Sequence, residues 1–149
     1  MKIRPAVPYD VSAVRACAEE AYAPYIAAIG RKPAPMVADF ETQIGAGQVH
    51  VAEDETGSFL GFIVYFQNAD HMFLENVAVV SAAAGRGIGR ALISHCEAEA
   101  CSLGLPAIRL YTNEKMTANL SIYPRLAYTE TGRRTEDGFN RVYFEKSLF

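Results

Sequence analysis

The chain has 149 residues, half of them apolar, a net charge of −3 and a pI near 5.6. That length suits one domain, expected over residues 1–149, with a sizeable core. The acidic balance leaves no basic footprint for nucleic acid. No apolar run approaches the roughly 18 residues of a membrane span, and Met1-Lys-Ile-Arg-Pro5 lacks the apolar segment of a signal peptide. Three cysteines (Cys17, Cys96, Cys101) form no Cys-x-x-Cys pair and leave one unpaired in any disulfide scheme, which favours reduced thiols and the cytoplasm. His50, His71 and His95 are far apart with no ligand spacing, so no metal site is expected.

In chain order, Lys2 to Pro5 reads as a short strand. Asp10 reads as the N-cap of a helix in which Val11, Val14, Ala18, Ala21, Tyr22 and Tyr25 recur at helical spacing. Gly30, Pro33 and Pro35 break it, and Met36 to Ile44 reads as a second short helix stopped by Gly45 and Gly47. Val49 to Glu53 and Phe59 to Phe66 read as strands joined by a turn around Asp54 to Gly57, and Phe73 to Val80 as the next strand. Gly87 to Leu103 is the longest helix, with Ile88, Ala91, Leu92, Cys96, Ala100 and Leu103 as its apolar stripe and Gly104 at its C-terminal cap. Ala107 to Tyr111 reads as a strand and Thr117 to Arg125 as a short helix. Tyr128 to Gly132 and Arg141 to Lys146 close the chain as strands around a polar turn at Glu136-Asp-Gly138.

The stretch that carries most chemistry is Val77-Ala-Val-Val80, followed by Gly85-Arg-Gly-Ile-Gly-Arg90 and then Ala91-Leu-Ile93. Strand, glycine loop and helix N-terminus together make an anion cradle of backbone N–H groups. No Lys-Ser or Lys-Thr follows the glycines, so this is not a Walker loop. A dinucleotide fingerprint would need its third glycine where Arg90 stands. What remains is Arg-Gly-x-Gly opening a helix. It resembles the cofactor loop of the GNAT N-acetyltransferase superfamily, whose Gln/Arg-x-x-Gly-x-Gly/Ala pattern holds the pyrophosphate of acetyl-CoA. Ala84 stands at the first position of that pattern, so its side chain adds no hydrogen bond. A second match is Asn119-Leu-Ser-Ile-Tyr123-Pro-Arg125-Leu-Ala-Tyr128, which resembles the Asn and Tyr region of the same family. There Pro124, Ala127 and Tyr128 depart from the family pattern.

The element order also matches the GNAT fold across the whole chain. The resemblance implies a mixed α/β architecture: about seven mostly antiparallel strands, four helices, and strands 4 and 5 parallel and splayed. It implies acetyl-CoA as cosubstrate and no metal. The cofactor-binding residues it implies are Val77, Ala78 and Val79 on a bulged strand, Gly85, Arg86, Gly87, Ile88, Gly89 and Arg90 in the loop, and Asn119, Tyr123 and Arg125. Tyr123 is then the proton donor to the leaving thiolate, its alternative an ordinary core aromatic. Arg125 meets a CoA phosphate or is a surface charge. Glu75 stands two residues before Val77, on the same face in a regular strand. It is the general base that many family members carry near there, or a solvated strand carboxylate.

Acceptor specificity in the family lies largely in the segments that here run over residues 22–39 and 133–140. Tyr25, Arg31, Met36 and Glu75 are the substrate-site candidates, with Lys32 and Asp39 as further charges. The activity implied is direct transfer of acetyl from acetyl-CoA to a primary amine of a small molecule, amino acid or peptide in a ternary complex. Transfer of another acyl group and a non-catalytic acyl-CoA sensor are the alternatives. Homodimers are common in the family, but no segment here locates an interface.

Overall fold

The computed structural model covers residues 1–149. Its centre is a seven-stranded sheet in the order β1-β2-β3-β4-β5-β7-β6. The strands are β1 (Lys2–Pro5), β2 (Val49–Glu53), β3 (Phe59–Asn68), β4 (His71–Val79), β5 (Ala107–Asn113), β6 (Thr129–Glu136) and β7 (Phe139–Ser147). The helices are α1 (Val11–Tyr22), the single turn α2 (Ile26–Ile29), α3 (Phe40–Gly45), α4 (Ile88–Ser102) and α5 (Thr117–Arg125). Every strand pairing is antiparallel except β4 with β5. That parallel pairing holds only at Met72 with Ile108 and Phe73 with Arg109, and the two strands then part.

The parting is reinforced by a bulge. Val64 lies opposite Asn76 and Tyr65 opposite Leu74, so Glu75 is an extra residue in β4. A bulge reverses the alternation of side chains beyond it. Met72 and Leu74 are buried beside α4, and past the bulge it is Val77 and Val79 that pack there, while Ala78 joins the opposite core. Glu75 and Asn76 both reach the α1 and α3 face. Glu75 and Val77 therefore lie on opposite faces, contrary to the regular-strand expectation.

The core divides between the two faces. On one, the i, i+4 row Ile88, Leu92, Cys96 and Ala100 of α4 packs on Ile63, Ile108 and Phe144. Leu103 does not belong to that stripe. It follows the helix end and is 57% exposed, while Gly104 turns the chain at φ +73°. On the other face, Val14 and Ala18 of α1 and Phe40 and Ile44 of α3 pack on Val51, Phe62 and Val64.

Asp10 stands at the N-cap position of α1 as expected, but its side chain makes no bond to that helix: it accepts from the Val7 amide at 2.8 Å and binds Arg4 at 2.8 and 3.0 Å, closing a 3₁₀ turn ahead of α1. Asp39 is the residue that caps, accepting from the Thr42 amide at 3.1 Å at the start of α3. The second helix accordingly begins at Phe40, and Ala34–Met36 form a separate 3₁₀ turn.

Candidate active site

Two cavities open where β4 and β5 part. The larger, about 500 Å³, runs between the end of β4, the first turn of α4 and the face of α5 that carries Ile122 and Leu126. The smaller, about 320 Å³, lies between β4, β5, the residues before α3 and the start of β7. Val77, Asn119 and Tyr123 line both. The cavities therefore meet at those three residues, at the splay in the sheet.

The larger cavity collects most of the loop and strand residues expected at a cofactor site. Val77, Ala78, Val79, Gly89, Arg90, Asn119, Tyr123 and Arg125 line it. Gly85 and Gly87 sit just outside it with φ of +79° and +76°. L side chains rarely tolerate that conformation, and the space over both glycines is open. Gly87 is the N-cap of α4, whose first amides point outward unpaired. Ile88 contributes only backbone, since its side chain is buried in the core. Arg86, Arg90 and Arg125 are exposed, and Arg90 and Arg125 line the cavity. An open cradle with arginines on the groove beside it fits a pyrophosphate, and that groove is lined by apolar side chains and an unpaired strand edge, which fit an extended thiol-bearing arm.

Asn119 and Tyr123 stand one helical turn apart on α5. Asn119 is anchored by its amide nitrogen, which donates to Thr112 of β5 at 3.1 Å. Tyr123 is buried, packed edge-on against Tyr128 at 5.5 Å and tilted against Phe144 at 5.7 Å. It is thus both a core aromatic and a lining residue. Burial, then the nearby Cys96, pushes its phenol well above the usual range, so it stays protonated at neutral pH.

The smaller cavity is built from remote segments. Tyr22 at the end of α1 donates to Asn76 Oδ1 at 2.7 Å and to the Val77 carbonyl at 3.2 Å. Asn76 donates in turn to the Pro35 carbonyl at 2.9 Å. This relay ties α1, the bulge and the segment before α3 into one wall. Glu75 faces the cavity and accepts from Gln43 of α3. Opposite them stand Tyr111 and Arg141, the guanidinium lying 4.3 Å from the Tyr111 ring centroid and 3.6 Å from Glu136.

Three substrate candidates fall elsewhere. Tyr25 packs half-buried against the α1 core, and Met36 is buried within it, because the 3₁₀ turns on either side roll both side chains inward. Arg31 is also occupied: it lies 3.6 Å from the Phe139 ring centroid and donates to the Asp137 carbonyl. Lys32 is exposed. The cavity residues that sequence reasoning did not single out include Gln43, Asn76, Tyr111, Thr112, Met116 and Arg141. None sits in a recognisable motif. The fold also brings His50 and His95, distant in sequence, to 4.9 Å between ring centroids.

A splayed β4–β5 pair, a glycine cradle at the following helix and an Asn and Tyr pair at the junction define an acyl-transferase type of site. The acetyltransferase (GNAT) family model matches residues 14–128, and the chain belongs to that family. No curated protein sequence matches the chain significantly. Among solved structures the fold is similar to PaiA N-acetyltransferase of Thermoplasma acidophilum in complex with coenzyme A, with TM-score 0.78, 17% identity and 98% of each chain covered. It is similar to an N-acetyltransferase of Staphylococcus aureus Mu50, with TM-score 0.77, 22% identity, and 99% of this chain and 98% of that one covered. It is also similar to the ribosomal-protein-S18-alanine N-acetyltransferase of Escherichia coli, with TM-score 0.75, 19% identity, and 99% and 93% covered.

Proposed function

We propose that this protein is an acetyl-CoA-dependent N-acetyltransferase acting on a primary amine of a small molecule, amino acid or peptide, by direct transfer in a ternary complex. The observation that carries the reading is the meeting of two cavities at Val77, Asn119 and Tyr123. A donor in one and an acceptor in the other would come together there.

The cosubstrate would supply an activated acetyl thioester. Gly85, Gly87 and the first amides of α4 would hold its pyrophosphate, with Arg86, Arg90 and Arg125 nearby. The free edge of Val77 to Val79 and the Asn119 side chain would hold its arm. An amine resembling lysine has a pKa near ~10.4, so only about one in a thousand is neutral at pH 7. Glu75 is the base that removes its proton, directly or through water. Tyr123 donates a hydrogen bond to the departing sulfur. Its raised pKa makes full transfer more uphill than for a free phenol, so its role is donation more than release of a proton. Three free cysteines suit a reducing compartment, and we assign the activity to the cytoplasm and to one domain.

The test is titration with acetyl-CoA by calorimetry, followed by thiol-release assays over amines, amino acids and peptides. Binding with turnover on one amine class is the expected result. Absence of binding refutes the reading; binding without turnover on any amine leaves the acyl-CoA sensor in its place.

A further inference from the structure

We propose that Gln43 is a positioning residue: its side-chain amide fixes the Glu75 carboxylate and holds it ready to take the acceptor's proton. The proposal rests on Glu75 being the base in the reading above.

Glu75 is the extra residue of the bulge, so no partner on β3 sets its direction. Its one side-chain hydrogen bond comes from Gln43 Nε2. Gln43 is itself rigidly carried. Its helical neighbours Phe40 and Ile44 are buried in the core, and Asp39 caps the same short helix through Thr42. Chemistry fixes which end of the amide faces Glu75, since an ionised carboxylate only accepts hydrogen bonds. The other end, Gln43 Oε1, is closed off from solvent and has no partner. An unsatisfied buried acceptor is destabilising. A methionine would fill similar space without that cost, so packing does not account for a glutamine here. What the glutamine supplies is the donor to Glu75.

A donor to the charged form favours it. The other titratable and charged groups on the cavity wall around Glu75 are Tyr22 from α1, Asp39 before α3, Tyr111 from β5, Tyr123 from α5 and Arg141 from β7. Arg141 is partly neutralised by Glu136, and Asp39 adds negative charge, so Gln43 is the neutral donor that counters it. In the step served, the amine lone pair forms the N–C bond to the acetyl carbon as the C–S bond breaks. The amine's proton passes to Glu75, and the departing thiolate, held by the Tyr123 hydrogen bond, takes its proton from solvent.

The decisive measurement needs no acceptor. Glutamate labelled with ¹³C at the side-chain carboxyl is titrated by NMR in the full chain with acetyl-CoA bound, and Glu75 is assigned by the signal lost in Glu75→Gln. Gln43→Met should raise the Glu75 midpoint, and Gln43→Glu should raise it further through like-charge repulsion. Gln43→Lys, which restores a donor, should bring the midpoint back down. The acidic limb of turnover should follow each change, while acetyl-CoA affinity by calorimetry stays within about twofold and certifies the fold. An unmoved midpoint in both Gln43→Met and Gln43→Glu overturns the proposal. Full turnover in Glu75→Gln overturns the base assignment instead, and the NMR result separates the two failures.

Discussion

The two cavities that meet at Tyr123 are built by different means. The larger is assembled from three short stretches: the end of β4, the first turns of α4 and one face of α5. Backbone is prominent there, in a strand with one free edge and in the positive-φ glycines beside the cavity. The smaller is assembled from segments joined by side-chain bonds that span 32 to 106 residues. Tyr22 bonds Asn76, Gln43 bonds Glu75 and Arg31 reaches the turn at Asp137. Backbone recognition demands a fixed spacing of special residues, whereas a side-chain wall can be rebuilt with different residues from different places. The same fold can thus hold one donor and change its acceptor.

The strongest break of that contrast is Gly87→Glu. It puts a side chain where φ is +76° and a negative charge at the anion cradle. Strain of about 1–3 kcal/mol plus charge repulsion should weaken acetyl-CoA binding by at least about a hundredfold. Unchanged affinity by calorimetry would remove the loop from the cofactor site. Next comes Tyr123→Phe at the junction. It should lower kcat by about a hundredfold with little change in acetyl-CoA affinity, since in the proposed reaction the hydroxyl serves the departing sulfur, while the ring packs in the core. Equal turnover would leave Tyr123 a packing residue only.

Glu75→Gln probes the acceptor side. The rate should fall by about tenfold at pH 8 and by more at lower pH, because free amine is scarcest there and no base remains to generate it. A pH–rate profile parallel to that of the native chain would assign proton removal to water or another group.

How far each side could be read beforehand follows from the same contrast. The loop from Gly85 to Arg90 and the Asn119 and Tyr123 pair were legible because each sits within one turn of chain, where spacing determines geometry. The fold was legible too, since apolar periodicity placed all seven strands and the main helices, with shifts at their ends. The face of Glu75 was not. One extra residue opposite Val64 reverses side-chain direction, and an unpaired sequence carries no mark of register. Asp10 stands at the N-cap position of α1 as read, but its side chain does not cap that helix, because a 3₁₀ turn precedes it and Arg4 claims the carboxylate. Tyr25 and Met36 have the right composition for an acceptor pocket, but composition does not say which way a 3₁₀ turn rolls its side chains. Gln43, Tyr111 and Arg141 became visible only once the sheet had brought α3, β5 and β7 together.

Beneath the cofactor side lies a pH-sensitive contact. His50 of β2 is buried, stacks on Tyr65 at 5.1 Å and lies next to His95 of α4, and its Nδ1 has no partner. Burial, and then His95, lowers its pKa from the ordinary 6.5, with Glu99 opposing. The unfolded chain therefore takes up this proton first as pH falls. Stability from this site is complete above about pH 6.5 and declines below it until the folded pKa is reached. The melting temperature should drop between pH 7 and pH 5, and His50→Phe should flatten that drop. An equally steep decline in the variant would assign it to other groups.

The smallest effect separates the two cavities most selectively. Arg31 is the clasp between the segment before α3 and the β6–β7 turn. It lies over Phe139, and a Cβ at Gly138 would come within 2.9 Å of its Nη2. An exposed cation–π contact of this kind is worth about 0.5–1 kcal/mol, so Arg31→Ala should lower the melting temperature by only a few degrees. Phe139 and the residues before α3 line only the smaller cavity, and none of them touches the larger. Loosening the clasp should therefore raise the acceptor KM a few-fold and leave acetyl-CoA affinity alone. Equal changes in both constants would mean that the clasp steadies the whole splayed sheet, and that the two cavities are mechanically one.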